Sequence, residues 1–161
     1  MDSEFIVKLA EDAGLAILEI YNRAEGFEIS NKSDNSPLTE ADIAAHNLIV
    51  EGLQSLNNIP IVSEEGNVGD PISSNTCWLV DPLDGTKEFI KRNGMFTVNI
   101  ALMVKKGARW SPLFGVVHAP VPNTTWLGGI SHPSERRGSD GSGLMMVNPS
   151  NPPKPTRLVA S

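Results

Sequence analysis

Apolar residues recur with a helical period over residues 3–21. Phe5, Leu9, Ala13, Ala16 and Ile20 form one stripe, widened by Ile6, Ala10, Ile17 and Tyr21. Asn22 to Gly26 should end that helix, and Phe27-Glu28-Ile29-Ser30 alternates like a short strand. The polar run Asn31 to Pro37 reads as a loop. A second helix is predicted over 39–56, with Ala41, Ala44, Ala45, Leu48, Ile49, Leu53 and Leu56 on one side. Beyond residue 58 the period shortens to that of strands. Ile59–Ser63 and Cys77–Val80 are short apolar runs, each followed by acids, and Phe96–Val104 is longer with partial alternation. Lys105-Lys106-Gly107-Ala108 suits a hairpin turn, Trp110–His118 runs back with a bend at Ser111-Pro112, and Thr124–Ile130 is one more strand. Helices followed by mostly antiparallel strands predict an α+β fold, two helices packed on a sheet.

From Ser131 to Arg157, 13 of 27 positions are Pro, Gly or Ser, the composition of a linker. Arg157–Ser161 then looks like the opening of a strand. The expected organisation is a domain over 1–130, with 131–161 a linker and the start of a further domain.

Composition narrows the class. A chain of 161 residues with 40% hydrophobic and 20% charged residues can bury one core of ordinary size. A single cysteine, Cys77, excludes an internal disulfide and favours a reducing, cytoplasmic location. No run approaches a membrane span, and the acidic start MDSEFIVKLAEDAG lacks the basic segment of a signal peptide. The net charge of -6, with no basic track, argues against duplex nucleic acid as a partner. Acidity suits a protein that gathers divalent cations.

Asp81-Pro82-Leu83-Asp84-Gly85-Thr86 supplies a place for them. An apolar strand delivers Asp81, Pro82 should turn the chain, and Asp84 can point into the same cavity. Gly85 allows close backbone approach, and Thr86–Lys91 reads as a short helix whose first N–H groups would face a phosphate. Carboxylates beside a phosphate call for cations between them, and hard oxygen ligands suit Mg²⁺. Taken alone, such a pair is more often an Asp-rich turn with Asp84 as a helix cap. Glu64-Glu65 ends the preceding strand and alone would be solvated surface. Asp42 three residues after Thr39 fits a helix capping box, and Lys32 would ordinarily be a surface lysine. His46, His118 and His132 show no zinc-binding spacing, and Cys77 reads as core.

The stretch Trp78–Thr86 resembles the signature of the lithium-sensitive, Mg²⁺-dependent phosphatases of the inositol monophosphatase superfamily. Its continuation Lys87–Gly94 is similar to the 3'(2'),5'-bisphosphate nucleotidase branch; inositol monophosphatases usually carry Thr-Asn-Phe where this chain has Lys87-Glu88-Phe89. Lys32–Asp42, Ile61–Glu65 and Gly115–Pro120 agree in order and spacing.

The resemblance implies that Glu64, Asp81 and Asp84 ligate Mg²⁺ through carboxylates and Leu83 through its carbonyl. It implies that Glu64 and Thr86 position the attacking water, that Asp42 approaches that water or an additional metal, and that Glu64, Leu83, Asp84, Gly85 and Thr86 line the phosphate site. The implied reaction is hydrolysis of adenosine 3',5'-bisphosphate to AMP and phosphate, a step tied to sulfur metabolism, in a cytoplasmic enzyme with room for peripheral association at the inner membrane. Relatives continue into a second domain with a further metal-ligating Asp, for which this chain has no matching segment. Impaired activity alone is therefore expected, with a C-terminal domain or a second copy as partner. The alternatives are an inositol monophosphatase and a non-catalytic metal-binding fragment.

Overall fold

The computed structural model describes residues 2–32, 37–138 and 143–144. Helix α1 (Ser3–Tyr21) starts at Asp2, whose carboxylate accepts the Phe5 N–H and complements the helix dipole. Its buried face is centred on the flank of the predicted stripe: Ile6, Ala10, Ala13 and Ile17 are fully inaccessible, whereas Phe5 and Ala16 are half-buried. Helix α2 (Glu40–Leu56) buries Ala41, Ala45, Ile49 and Leu53 in the same core. Both helices lie on one face of a seven-stranded sheet.

That sheet runs in the order β3 (Ile61–Ser63), β4 (Thr76–Asp84), β5 (Thr97–Lys106), β6 (Arg109–Ala119), β7 (Thr124–Gly129), β8 (His132–Gly138) and β9 (Gly143–Leu144). β3 and β4 are parallel, and every other neighbouring pair is antiparallel. Strand alternation decides what is core. Trp78, Val80, Val98, Ile100, Phe114, Val116 and Leu127 point toward the helices and are buried, whereas Leu79, Val117 and Trp126 stand exposed on the opposite face. With helix α3 (Thr86–Ile90), three helices pack on a mixed, mostly antiparallel sheet, the expected α+β class.

Several local expectations change. The strand after α1 is β1 (Ile29–Asn31), paired antiparallel with an unpredicted β2 (Pro37–Thr39). Phe27 instead packs its ring on Phe89, 4.7 Å between centroids. Pro82 does not end β4, because a bulge accommodates it and pairing resumes at Asp84. Residues His132–Gly138 form β8 of the sheet where linker composition suggested none, so His132 lies in a strand. Arg137 bonds both Glu4 of α1 and Glu135, fastening that polar strand through ion pairs rather than apolar burial. Positions 139–142 and 145–161, including the expected strand at Arg157–Ser161, lie outside the described residues.

An aromatic cluster fixes α3. Phe89 is buried among Tyr21, Phe27 and Phe96, with centroids 4.7–5.3 Å apart. Arg92 covers the Tyr21 and Phe27 rings and donates to the carbonyls of Tyr21 and Arg23 at the end of α1. The end of α3 is thereby held against the end of α1 and the residue that leads into β5.

Candidate active site

On an uninterrupted strand, residues three apart face opposite sides, so Asp81 and Asp84 would diverge. The bulge reverses this. Asp81 pairs with Asn99 and Asp84 with Thr97, so three steps along β4 match two along β5 and both acids come to one face. Asn99 Nδ2 donates to Asp84 Oδ2 at 3.2 Å, and Thr97 Oγ1 donates to Asn99 Oδ1 at 3.2 Å. β3 runs parallel to β4, which brings Glu64, at its carboxyl end, beside Asp81; the Glu64 N–H donates to the Val80 carbonyl.

Asp81 is the electrostatic centre. Its Oδ1 is buried without a hydrogen-bond partner. Burial first, then the charges of Glu64 and Asp84, push its carboxyl up from 3.8 to about 7. The neighbouring acids penalise its ionisation, a conflict that a cation would remove. The donor set, carboxylate oxygens with the Leu83 carbonyl close by, suits a hard divalent ion. Among the described residues no three acids or imidazoles are gathered in advance around one point, so such an ion would have to draw the side chains together.

Gly85, not Asp84, caps α3: its φ of +97° is left-handed, and a Cβ there would lie 2.9 Å from the Met95 carbonyl oxygen. Thr86 Oγ1 lies 3.1 Å from Asp42 Oδ1 and 3.3 Å from the Leu83 carbonyl. Asp42 is buried, and its Oδ2 accepts the Thr39 N–H and hydroxyl in the expected capping box. It both caps α2 and reaches the site.

Lys32 is not a surface lysine. Its Nζ bridges Glu64 at 2.8 Å and Glu65 at 2.7 Å, and the Glu65 side chain is only 5% exposed. Burial opposes its charge, but the bonds to Glu64 and Glu65 prevail and raise its pKa. His46, on α2, stands 2.8 Å from Ser63 Oγ, just before the two glutamates. Burial pushes this imidazole down, against the pull of Glu65. Lys32, Asn99 and His46 were not assigned roles from the sequence. The available signals were the one-turn spacing of His46 from Asp42 and the strand parity of Asn99 with Asp81. Cys77 is buried, as expected of a core residue. A cavity of about 540 Å³ opens beside Glu64, Asp81 and Asn99, floored by Leu79, Ala101 and Val117. No described helix is long and apolar enough to cross a membrane.

A model of the inositol monophosphatase family matches residues 2–150. The 3'(2'),5'-bisphosphate nucleotidase CysQ of Escherichia coli O157:H7 is 50% identical over 124 residues, 75% of this chain and 49% of that protein. The protein of that name from Haemophilus influenzae is 31% identical over 96% of this chain and 56% of its own length. Among solved structures, CysQ from Bacteroides thetaiotaomicron aligns with a TM-score of 0.68 at 40% identity, over 86% of this chain and 50% of that one. An IMPase from Thermotoga maritima gives 0.72 at 27% identity, over 86% and 52%. The chain thus spans about half the length of the curated relatives it matches first.

Proposed function

The chain belongs to the inositol monophosphatase family, and from that membership we infer that it carries the phosphate-hydrolysing residues of a Mg²⁺-dependent 3'(2'),5'-bisphosphate nucleotidase. The observation that carries the reading is the unpartnered Asp81 Oδ1, buried between Glu64 and Asp84 and destabilised by both. Glu64, Asp81, Asp84 and the Leu83 carbonyl would hold the cation. When bound, it would supply positive charge against the phosphate and lower the pKa of water.

The remaining work falls to the chain's own groups. The Thr86 hydroxyl has one proton, and Asp42 Oδ1 is its nearer acceptor. Its oxygen lone pairs are then available to accept a hydrogen bond from an attacking water, which Glu64 orients from the other side. As the water attacks phosphorus and the P–O bond to the ribose breaks, the water's proton passes to Thr86 Oγ1 while the hydroxyl proton moves to Asp42. The leaving alkoxide takes up a proton from solvent. Gly85 and Thr86 would present N–H groups to the phosphate oxygens. The identity to proteins named as bisphosphate nucleotidases, together with Lys87-Glu88-Phe89, favours adenosine 3',5'-bisphosphate as substrate.

The test is phosphate release by this chain from adenosine 3',5'-bisphosphate and from inositol monophosphate, with and without Mg²⁺ and with added Li⁺. Cation-dependent, lithium-inhibited release favouring the nucleotide supports the reading. Preference for inositol monophosphate replaces it with the sister activity. Cation binding without turnover on either substrate makes the chain a metal-binding module.

A further inference from the structure

His46 is four residues after Asp42 on α2, one helical turn along the same face. The two side chains reach different halves of the acidic site. Asp42 meets Thr86 at the start of α3, whereas His46 Nδ1 meets Ser63 Oγ, 2.8 Å away at the end of β3. Ser63 is buried and organises the turn that follows. Its Oγ accepts the Glu65 N–H, its carbonyl accepts the Gly66 N–H, and its own N–H donates to Asn67 Oδ1. A hydroxyl has one proton and two lone pairs, so accepting from Glu65 leaves Ser63 free to donate to a neutral Nδ1. The Glu64 backbone is therefore set between two fixed points, the Val80 carbonyl behind it and the Ser63–His46 contact before it, while Lys32 bonds its carboxylate.

We propose that His46 is a positioning residue: acting through Ser63 Oγ, it fixes the Glu64–Glu65 turn against α2 and sets the approach of Glu64 to Asp81 for the shared cation. The proposal rests on the cation-holding reading of the site. It differs from a histidine that merely fills space, because it makes cation affinity depend on one hydrogen-bonding atom. α2 then clamps the site twice, at the Thr86 side through Asp42 and at the Glu64 side through His46. Partners that orient a metal ligand commonly change metal affinity by about 10- to 100-fold when lost.

The experiment measures Mn²⁺ binding by calorimetry and amide exchange at Glu64 and Glu65 in the full chain. His46→Leu and Ser63→Ala are expected to weaken Mn²⁺ binding about tenfold each, and the double variant no further, because both break one path. His46→Asn, which keeps a polar atom near the place of Nδ1, is expected to hold affinity near the wild-type value. Glu65 amide exchange should quicken in His46→Leu, while that of Glu64, bonded to Val80, changes less. A folded His46→Leu with wild-type affinity and unchanged Glu65 exchange overturns the proposal, as does His46→Asn behaving like His46→Leu. Should His46→Leu fail to fold, Ser63→Ala carries the same readouts with the loss of one hydroxyl. If the wild-type chain binds no Mn²⁺, the cation reading fails by itself. Glu65 exchange then still decides whether His46 fixes the turn.

Discussion

The Thr86 hydroxyl and the Asp42 carboxylate meet at 3.1 Å across 44 residues of sequence. The same carboxylate closes the capping box with Thr39, so one buried acid starts α2 and holds the first residue of α3. Each oxygen of Asp42 has its own partner: Oδ2 closes the cap of α2 and Oδ1 meets Thr86.

Loss of that acid should therefore cost more than loss of an ordinary cap. Asp42→Ala is expected to destabilise the chain by about 2–4 kcal/mol, combining a lost cap with lost charged hydrogen bonds. Thr86→Val should cost about 1 kcal/mol. In urea unfolding the double variant should lose less than the sum, since both singles remove one bond. Strict additivity would show that the contact contributes nothing.

Gly14 lies in α1 where a Cβ would stand 2.6 Å from His118 Cδ2 and 3.2 Å from Pro120 Cγ. His118 is held through Nδ1 by Thr125 Oγ1 and is buried, so it cannot retreat cheaply. Gly14→Ala should therefore destabilise by about 1–3 kcal/mol, although alanine favours a helix interior. At Gly52 the nearest obstacle is the aliphatic tip of Leu9, which no hydrogen bond fixes, so Gly52→Ala should cost less than Gly14→Ala, though Leu9 too is buried. A rise in melting temperature for Gly14→Ala would contradict the packing.

Neighbours on β4 should differ sharply. Trp78 is fully buried under the helices, whereas Leu79 is 46% exposed on the other face. Trp78→Ala should cost about 3–5 kcal/mol, or prevent folding. Leu79→Thr should stay within about 0.5 kcal/mol. Comparable losses at both positions would mean that this chain covers both faces of its sheet.

α1, α2, the hairpin and the partial alternation of Phe96–Val104 were legible in the sequence, because period and turn residues are local signals. The acids at Asp81, Asp84 and Glu64 stood out by type and spacing. Three things were not legible. The bulge that brings Asp81 and Asp84 to one face depends on pairing with β5, and Pro82 looked like a stop because its missing N–H usually makes it one. β8 pairs along β7 and is tied to α1 by Arg137 bonding Glu4, a contact across 133 residues that Pro-, Gly- and Ser-rich composition conceals. Lys32 became a bridge between Glu64 and Glu65 only once β3 placed those acids within its reach.

The last prediction concerns Asp81 and its pH dependence. Burial, Glu64 and Asp84 lift its carboxyl from 3.8 to about 7. The fold thus favours the protonated form. Without a cation, this group's contribution to stability is full below the ordinary value of 3.8 and is lost as pH rises through 7. Asp81→Asn, neutral throughout, should remove that decline and be more stable than wild type at pH about 8. A cation reverses the preference, because it needs the ionised oxygen. Mg²⁺ or Mn²⁺ binding should strengthen as pH rises toward 7 and release about one proton at pH about 6, with little release above pH about 8. Calorimetry in two buffers of different ionisation heat reads that proton directly. In Asp81→Asn the binding should largely disappear, together with the proton release. Equal affinity for the wild type at pH about 5.5 and pH about 8 would show that the cation does not use Asp81. The buried oxygen would then lose its explanation, and the metal site would have to be sought on other residues.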